Sequence, residues 1–204
     1  MDGSGARDDA ARDVLKIDGE ALVLCEGHFA TTDGKTAHGL VRFTRRYRVR
    51  GVIDATLAGR DAGDVLDGRS RGIPIVAGLE EGLCLPGPPV THLVVGVATV
   101  GGRLPPGMRP TIAAALARGI NVDSGLHEYL GDDPELARAA SASGARIRDV
   151  RKPPPLSELR FYSGKIREVA CPKSALLGTD CAVGKRTTAW LLVEALERAG
   201  RRAE

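Results

Sequence analysis

A glycine-rich stretch near the end of the sequence carries the residue types that bind phosphate. It reads GTDCAVGKRTT and lies between a short apolar segment and an amphipathic one. A glycine-rich turn between a buried strand and a helix directs several backbone N–H groups into one concavity, where the helix dipole adds positive potential. Lys185 would bring a full positive charge to bound phosphates, and Thr187 or Thr188 could offer a hydroxyl to Mg²⁺. The predicted phosphate-binding residues are Gly178, Thr179, Asp180, Cys181, Ala182, Val183, Gly184, Lys185, Arg186, Thr187 and Thr188.

Two positions of this loop depart from the strict pattern G-x-x-x-x-G-K-[ST]. Thr179 stands where the pattern has its first glycine, and the nearest glycine is Gly178, one place earlier. Arg186 stands where the pattern has Ser or Thr, and arginine cannot ligate a cation. The alternative interpretation is an ordinary strand–helix turn with an exposed lysine.

A second glycine–lysine segment follows an earlier apolar run and ends in Lys35 and Thr36. Six residues separate Gly27 from Gly34, which is too long for the usual phosphate cradle, and the segment contains no G-x-G-x-x-G. Two interpretations stay open. Lys35 and Thr36 belong either to a turn that binds phosphate or carboxylate, or to a well-capped loop without a ligand.

Two more candidate residues follow predicted strands. Asp54 comes 27 residues after Gly27, at a strand end where an acidic residue can bind a ribose hydroxyl, although aspartate is also a common turn former. Arg103 follows Gly101 and Gly102, two glycines that permit close backbone approach to a ligand. Its guanidinium could bind a carboxylate or a phosphate, and the alternative is a solvated arginine on a flexible turn.

An adjacent histidine and glutamate follow the next predicted strand. In a cleft, His127 and Glu128 could serve as a general base and the group that orients it. Adjacent side chains point in different directions, however, so the two need not act together. The alternative is that His127 has no catalytic role, because most single histidines in proteins have none.

Short apolar segments alternate with helical ones, and this alternation positions the residues above. Strands are predicted over residues 21–27, 49–56, 72–78, 91–98, 120–126 and 146–152. One intervening helix is capped by Asp133 with Pro134 in its first turn and ended by Gly144. The pattern predicts an α/β fold, a Rossmann-like and mainly parallel sheet with helices on both faces. Ligands of such sheets bind beyond the carboxyl ends of the strands, where the candidate residues lie.

Three consecutive prolines, Pro153 to Pro155, interrupt the alternation and predict a semi-rigid linker. The predicted organisation is a flexible leader over 1–15, a Rossmann-like domain over 16–152, a linker over 153–172 and the beginning of a P-loop NTPase-like domain over 173–204. We further predict a hairpin over 159–170, a strand over 173–178 and an amphipathic helix over 187–200. Because the last 32 residues cannot build a P-loop sheet, the chain is expected to be truncated at its C-terminus, which would weaken ligand binding and could abolish activity on its own.

Composition limits the functional classes. The chain has 204 residues, a net charge of +3 and 3% aromatic residues, which disfavours nucleic acid as a partner. It has no apolar run of about 18 residues, and its first residues are acidic and polar, unlike a signal peptide. Four scattered cysteines without a C-x-x-C pair disfavour a zinc site. We therefore expect a cytoplasmic protein with a small-molecule substrate, without a membrane partner and without a metal.

Several segments taken together resemble one protein family. They are TTDGKTAHGLVR, GVIDATLAGRDAGDVLDG, GVATVGGRLPP, SGLHEYLGDDPEL, RIRDVRKPP and GTDCAVGKRTTA. They are similar, in this order, to a bacterial and archaeal family of P-loop proteins of unknown function with an N-terminal Rossmann-like domain. The family includes D-glutamate N-acetyltransferases, and the resemblance covers about residues 18–200.

The resemblance implies an acyltransferase that uses acetyl-CoA as donor and a D-amino acid such as D-glutamate as acceptor, and a homodimer. Lys185 and Arg186 would then bind CoA phosphates. From their chemistry, and not from a family motif, we expect Arg103 to bind the acceptor carboxylate and His127 or Glu128 to be the base. Two alternatives stay open. One is an ATP- and Mg-dependent ligase or kinase, because GTD-x-x-VGK also resembles the loop of dethiobiotin synthetases, although there Thr directly follows Lys. The other is a non-catalytic nucleotide-binding module.

Overall fold

The computed structural model describes residues 17–180 and 183–203, so the leader predicted over 1–15 lies outside the described residues. The chain divides into two compact units, and the division falls after Pro153. The first unit contains the whole sheet. No helix of the described residues is long and apolar enough to cross a membrane.

Six parallel strands form the sheet of the first unit. They are β1 (Gly19–Leu24), β2 (Tyr47–Ile53), β3 (Ile75–Val76), β4 (His92–Val95), β5 (Asn121–Ser124) and β6 (Ile147–Asp149). The spatial order is β3-β2-β1-β4-β5-β6, and every neighbouring pair is parallel. The order reverses between β1 and β4, which is the topological switch point of a doubly wound sheet. This arrangement confirms the predicted Rossmann-like α/β fold.

Five helices connect these strands and end where the sequence punctuates them. They are α1 (Lys35–Phe43), α2 (Ala62–Asp67), α3 (Leu79–Leu83), α4 (Arg109–Ala117) and α5 (Pro134–Ser143). The carboxylate of Asp133 accepts the first N–H groups of α5, and Gly144 ends that helix with φ +76°. Both features confirm the predicted cap and stop, because an aspartate satisfies N–H groups that a helix leaves unpaired and glycine adopts a left-handed conformation without strain.

The core of this unit lies around the central strand β1, which pairs with β2 on one side and β4 on the other. Its residues Leu22 and Leu24 have no exposed surface, and neither has Leu93 of β4. Burying one such side chain contributes about 1.5–3 kcal/mol of hydrophobic stabilisation. Because β1 is apolar and buried from Ala21 to Leu24, it is suited to a strand covered on both faces.

The described residues of the second unit form one α-helix, α6 (Lys185–Arg198), and two short 3₁₀ turns, Leu156–Glu158 and Lys165–Arg167. The helix confirms the predicted amphipathic segment. The strand predicted over 173–178 and the hairpin predicted over 159–170 are wrong, since neither segment has strand geometry. A strand satisfies its backbone groups by pairing, and the described residues of this unit offer 173–178 no strand to pair with.

Candidate active site at the carboxyl edge of the sheet

Two loops contact each other at the carboxyl edge of the sheet. The Arg103 loop (residues 99–104) follows β4, and the His127 loop (residues 125–128) follows the adjacent strand β5. The carbonyl oxygen of Gly102 accepts two hydrogen bonds from the second loop, from the backbone N–H of His127 at 2.9 Å and from that of Glu128 at 3.1 Å. Adjacent parallel strands end at the same edge, so the strand order joins the two loops. The predicted base and the predicted carboxylate-binding arginine therefore lie at one edge.

The close contact between these loops depends on Gly102. This residue has φ +64°, in the left-handed region that favours glycine. A Cβ added to Gly102 would lie 2.5 Å from the Cδ2 atom of His127 and 2.8 Å from its backbone nitrogen. The sequence suggested that this glycine allows a ligand to approach the backbone. In the structure, it is the ring of His127 that approaches.

His127 and Arg103 present their side chains to solvent. Both residues are exposed, and neither side chain has a hydrogen-bond or ion-pair partner within the part of the chain that the structure describes. The backbone of Arg103 is held, because its carbonyl oxygen accepts a hydrogen bond from the hydroxyl of Thr99 at 2.5 Å. An imidazole and a guanidinium without internal partners are able to interact with a ligand. Imidazole exchanges protons near neutral pH, and guanidinium binds carboxylates in a bidentate manner.

Glu128 differs from its neighbour His127, because its side chain is already engaged. Its Oε2 atom accepts a hydrogen bond from the backbone N–H of Leu104 at 2.9 Å. The sequence left open whether His127 or Glu128 is the base. The structure shows that the carboxylate contacts the Arg103 loop, while the imidazole contacts no polar partner among the described residues.

The loop that contains Lys35 and Thr36 is held by internal hydrogen bonds. The hydroxyl of Thr31 donates to the carbonyl oxygen of His28 at 2.9 Å and accepts the N–H of Asp33 at 3.2 Å. Lys35 begins α1 and is exposed, and Thr36 is half-buried beside it. These bonds are typical of the well-capped loop, and a ligand-binding role of Lys35 and Thr36 stays a prediction.

Asp54 links the first two strand ends and is fully buried. One carboxylate oxygen accepts the backbone N–H of Phe29 at 3.0 Å, and the other accepts the N–H and the hydroxyl of Thr56 at 3.0 and 2.6 Å. The carboxylate therefore stabilises the chain around it, and its predicted contact with a ribose stays a prediction. Burial raises the pKa of the nearby Cys25 thiol to about 12, with a further contribution from the charge of Asp54. Cys25 is consequently a protonated, inert thiol at neutral pH.

A cavity of about 920 Å³ opens away from the carboxyl edge, at the amino ends of the strands, and His92, Asp123 and Arg148 are among its lining residues. Two of its charged groups, Asp123 and Arg148, bind each other and the nearby Tyr47. The carboxylate of Asp123 accepts the hydroxyl of Tyr47 at 2.5 Å and the Nε–H of Arg148 at 2.7 Å. Burial raises the pKa of Tyr47 and lowers that of His92. No buried side-chain polar atom described by the structure lacks a hydrogen-bond partner.

The described residues of the glycine-rich loop are 178–180 and 183–188, and its two glycines lie in constrained positions. Gly184 has φ +88° and immediately precedes α6. A Cβ added to Gly178 would lie 2.9 Å from Cγ2 of Val183 and 3.1 Å from Cδ of Lys185. The ammonium group of Lys185 donates to the carbonyl oxygen of Asp180 at 2.6 Å, so it lies against the loop. Both glycines therefore occupy positions that a larger residue would disturb.

The remaining residues of this loop bear on whether a metal could bind. Thr188 donates its hydroxyl to the carbonyl oxygen of Gly184 at 3.1 Å, a bond within the helix. Arg186 and Thr187 are exposed in the first turn of α6, while Cys181 and Ala182 lie outside the described residues. A hydroxyl that donates its hydrogen keeps its lone pairs, so Thr187 and Thr188 both stay predicted metal ligands. The guanidinium of Arg186 adds a positive charge, which favours the binding of phosphate groups and not of a metal ion.

Sequence reasoning missed the bond between Glu128 and Leu104, the contact between Gly102 and His127, and the group formed by Tyr47, Asp123 and Arg148. No local spacing encodes these contacts, because the partners are far apart in the chain and meet only through the sheet. The signal that was available is topological. Once β4 and β5 are neighbours, the residues after each strand are expected to meet.

Two family models match the chain. The first is the Rossmann-like domain described as DUF1611_N, a domain of unknown function, over residues 55–153, and the second is the P-loop domain of DUF1611 over residues 160–204. A crystal structure of a DUF1611 family protein from Anabaena variabilis is 32% identical and superimposes with a TM-score of 0.77. The match covers 89% of this chain and 50% of that chain. These matches confirm the resemblance inferred from the sequence.

Two curated relatives share the name D-glutamate N-acetyltransferase. The protein from Tritonibacter scottomollicae is 38% identical over 100 residues, which are 48% of this chain and 28% of the relative. The protein from a Pseudoalteromonas species is 33% identical over 104 residues, 51% of this chain and 30% of the relative. The similarity to these two enzymes thus spans about half of the chain and less than a third of each relative.

Proposed function

Because the chain belongs to the DUF1611 family, with a Rossmann-like domain followed by a P-loop domain, we propose that it transfers an acetyl group from acetyl-CoA to the amine of D-glutamate. The observation that carries the proposal is the similarity to two relatives named D-glutamate N-acetyltransferase, at 38% and 33% identity. The site formed by the Arg103 loop and the His127 loop, called the carboxyl-edge site below, supports this proposal. Its exposed His127 and Arg103 suit an acceptor that carries an amine and a carboxylate.

The acceptor site consists of the Arg103 and His127 loops. The guanidinium of Arg103 binds a carboxylate of D-glutamate, and the imidazole of His127 takes a proton from the ammonium group. The amine then forms a bond to the thioester carbonyl carbon, and the bond between that carbon and sulfur breaks. The CoA thiolate leaves and takes one proton, and a second proton is released to solvent.

The donor site consists of the glycine-rich loop, Gly178–Thr188. CoA carries a pyrophosphate and a 3′-phosphate, and backbone N–H groups at the start of α6 together with Lys185 would bind these groups. Arg186, which departs from the nucleotide-binding pattern, would add a bidentate phosphate donor. This departure favours a ligand bound through several phosphates without a metal.

A direct test follows two products. The protein is incubated with D-glutamate and either acetyl-CoA or Mg·ATP, and CoA thiol and ADP are measured. We expect thiol release that depends on D-glutamate, no ADP, and loss of thiol release in His127→Asn. ADP release without thiol would instead indicate the ligase or kinase. Neither product, together with retained nucleotide binding, would indicate a non-catalytic module.

A further inference from the structure

Glu128 holds the residues on both sides of Arg103. Its backbone N–H donates to the carbonyl oxygen of Gly102 at 3.1 Å, and its Oε2 atom accepts the N–H of Leu104 at 2.9 Å. One residue of the His127 loop thus binds the Arg103 loop immediately before and immediately after the arginine.

Other hydrogen bonds also hold the Arg103 loop. The backbone N–H of His127 donates to the carbonyl oxygen of Gly102 at 2.9 Å, and the N–H of Gly102 donates to the carbonyl oxygen of Thr99 at 3.0 Å. Gly101 and Gly102 both have positive φ, at +73° and +64°, and contribute no side-chain contacts. The hydroxyl of Thr99 holds the carbonyl group of Arg103. The direction of the arginine side chain therefore depends on hydrogen bonds to the backbone, and Glu128 supplies two of them.

We propose that Glu128 is a positioning residue for recognition of the acceptor carboxylate, and that it acts through the backbone of the Arg103 loop and takes no proton from the substrate. The inference rests on the proposed function, because it assigns Arg103 to the acceptor. The same contacts hold the His127 loop against the Arg103 loop. Glu128 therefore determines where the guanidinium of Arg103 lies relative to the imidazole of His127.

Glutamine separates positioning from acid–base chemistry at this position. Its side-chain oxygen can still accept the N–H of Leu104, whereas the amide cannot take up a proton near neutral pH. We therefore compare Glu128→Gln and Glu128→Ala, with Glu158→Ala as an exposed control from the second unit. For each variant we measure the Kd of D-glutamate by calorimetry, the kcat and KM of acetyl transfer across pH, and the hydrogen exchange of the Leu104 amide.

We expect Glu128→Ala to raise the Kd and KM for D-glutamate about tenfold, the size of one lost hydrogen bond, with a smaller effect on kcat and an unchanged pH profile. Glu128→Gln should remain close to the wild-type protein. In Glu128→Ala, the Leu104 amide should exchange faster. Loss of kcat in both variants at unchanged Kd would overturn the positioning role and make Glu128 the base.

The exchange measurement distinguishes this inference from the proposed function. If the wild-type protein neither binds D-glutamate nor releases thiol, the proposed function fails. An unchanged rate of Leu104 exchange in Glu128→Ala would instead overturn the positioning role, whatever the protein acetylates.

Discussion

The two units bury their apolar residues to very different extents. In the first unit, Leu22 and Leu93 have no exposed surface and lie within a six-stranded sheet. In the second unit, Phe161 is 99% exposed and Leu177 is 89% exposed. Both units contain short apolar segments that favour strands, yet among the residues that the structure describes only those of the first unit form a sheet. Strand formation therefore depends on neighbours, whereas a helix such as α6 forms from hydrogen bonds within its own segment.

The comparison also separates two kinds of candidate site. The carboxyl-edge site is assembled by the sheet, because its residues come from loops that follow different strands. The glycine-rich loop is a local feature, since its glycines, its lysine and its helix are consecutive in the sequence. We therefore expect changes in the core of the first unit to affect stability most, and changes in the glycine-rich loop to affect phosphate binding alone.

The largest expected effect is on stability. Replacing the buried Leu93 by alanine should lower the free energy of unfolding by about 2–5 kcal/mol, because the change removes buried surface and leaves a cavity. Leu177→Ala in the second unit should change it by less than about 0.5 kcal/mol, since that side chain is already exposed. Urea unfolding followed by circular dichroism measures both values. Equal effects of the two changes would contradict the contrast between the units.

A second prediction concerns the contact between the two site loops. Gly102→Ala should cost about 1–3 kcal/mol of stability, because alanine would adopt a strained positive φ and its Cβ would collide with His127. Acetyl transfer should fall with it. The matched control is Gly101→Ala, which has a similar φ of +73° but open space around the added Cβ. Thermal unfolding and thiol release are measured together, and equal losses in both variants would refute a specific role of the Gly102–His127 contact.

A third prediction tests the local character of the glycine-rich loop. Lys185→Ala should weaken the binding of acetyl-CoA by about tenfold to a hundredfold, which corresponds to a lost hydrogen bond between charged groups. Stability of the first unit should not change. Lys173→Ala is the control, because this lysine donates to the carbonyl oxygen of Val169, outside the loop. Wild-type affinity in Lys185→Ala, measured by calorimetry, would remove this lysine from phosphate binding.

The smallest expected effect distinguishes the thiols of the two units. Cys25 is buried and its pKa is raised to about 12, while Cys171 is exposed. In a Cys181→Ser background, a thiol reagent at pH 8 should modify Cys171 and the exposed Cys84 promptly, but Cys25 only after unfolding.

The neutral thiol of Cys25 stabilises the fold below about pH 9, and this contribution is lost as the pH rises toward 12. Prompt reaction of three thiols would show that the core of the first unit opens readily.

The sequence was sufficient for features that depend on neighbouring residues in the chain. Asp133 caps the start of α5 and Gly144 caps its end, as predicted. The helix after the glycine-rich loop forms where its apolar spacing indicates. The spatial order of the strands could not be inferred. The alternation of strands and helices predicts a parallel sheet, but it does not determine which strands are neighbours. Residues 173–178 show the opposite case, because an apolar run becomes a strand only when another strand lies beside it.

The sequence pointed to the candidate residues of the site but not to the hydrogen bonds between the two loops. His127, Glu128 and Arg103 were identified because they follow strands, a rule that requires only the fold class. The roles that we propose for them were not available from the sequence, because the proposal depends on the hydrogen bond between Glu128 and Leu104. The partners of such a bond lie in different loops, and no periodicity links them.

The most direct test of the acceptor site is hydrogen exchange with and without D-glutamate. If the carboxyl-edge site binds the acceptor, D-glutamate should slow exchange in peptides that cover residues 99–104 and 125–128, leave the helix α6 unchanged, and do so less strongly in Arg103→Ala. L-Glutamate serves as the control ligand. Unchanged exchange in both loops at a saturating concentration of D-glutamate, or slowing confined to residues 178–188, would contradict the assignment of the acceptor to this edge of the sheet.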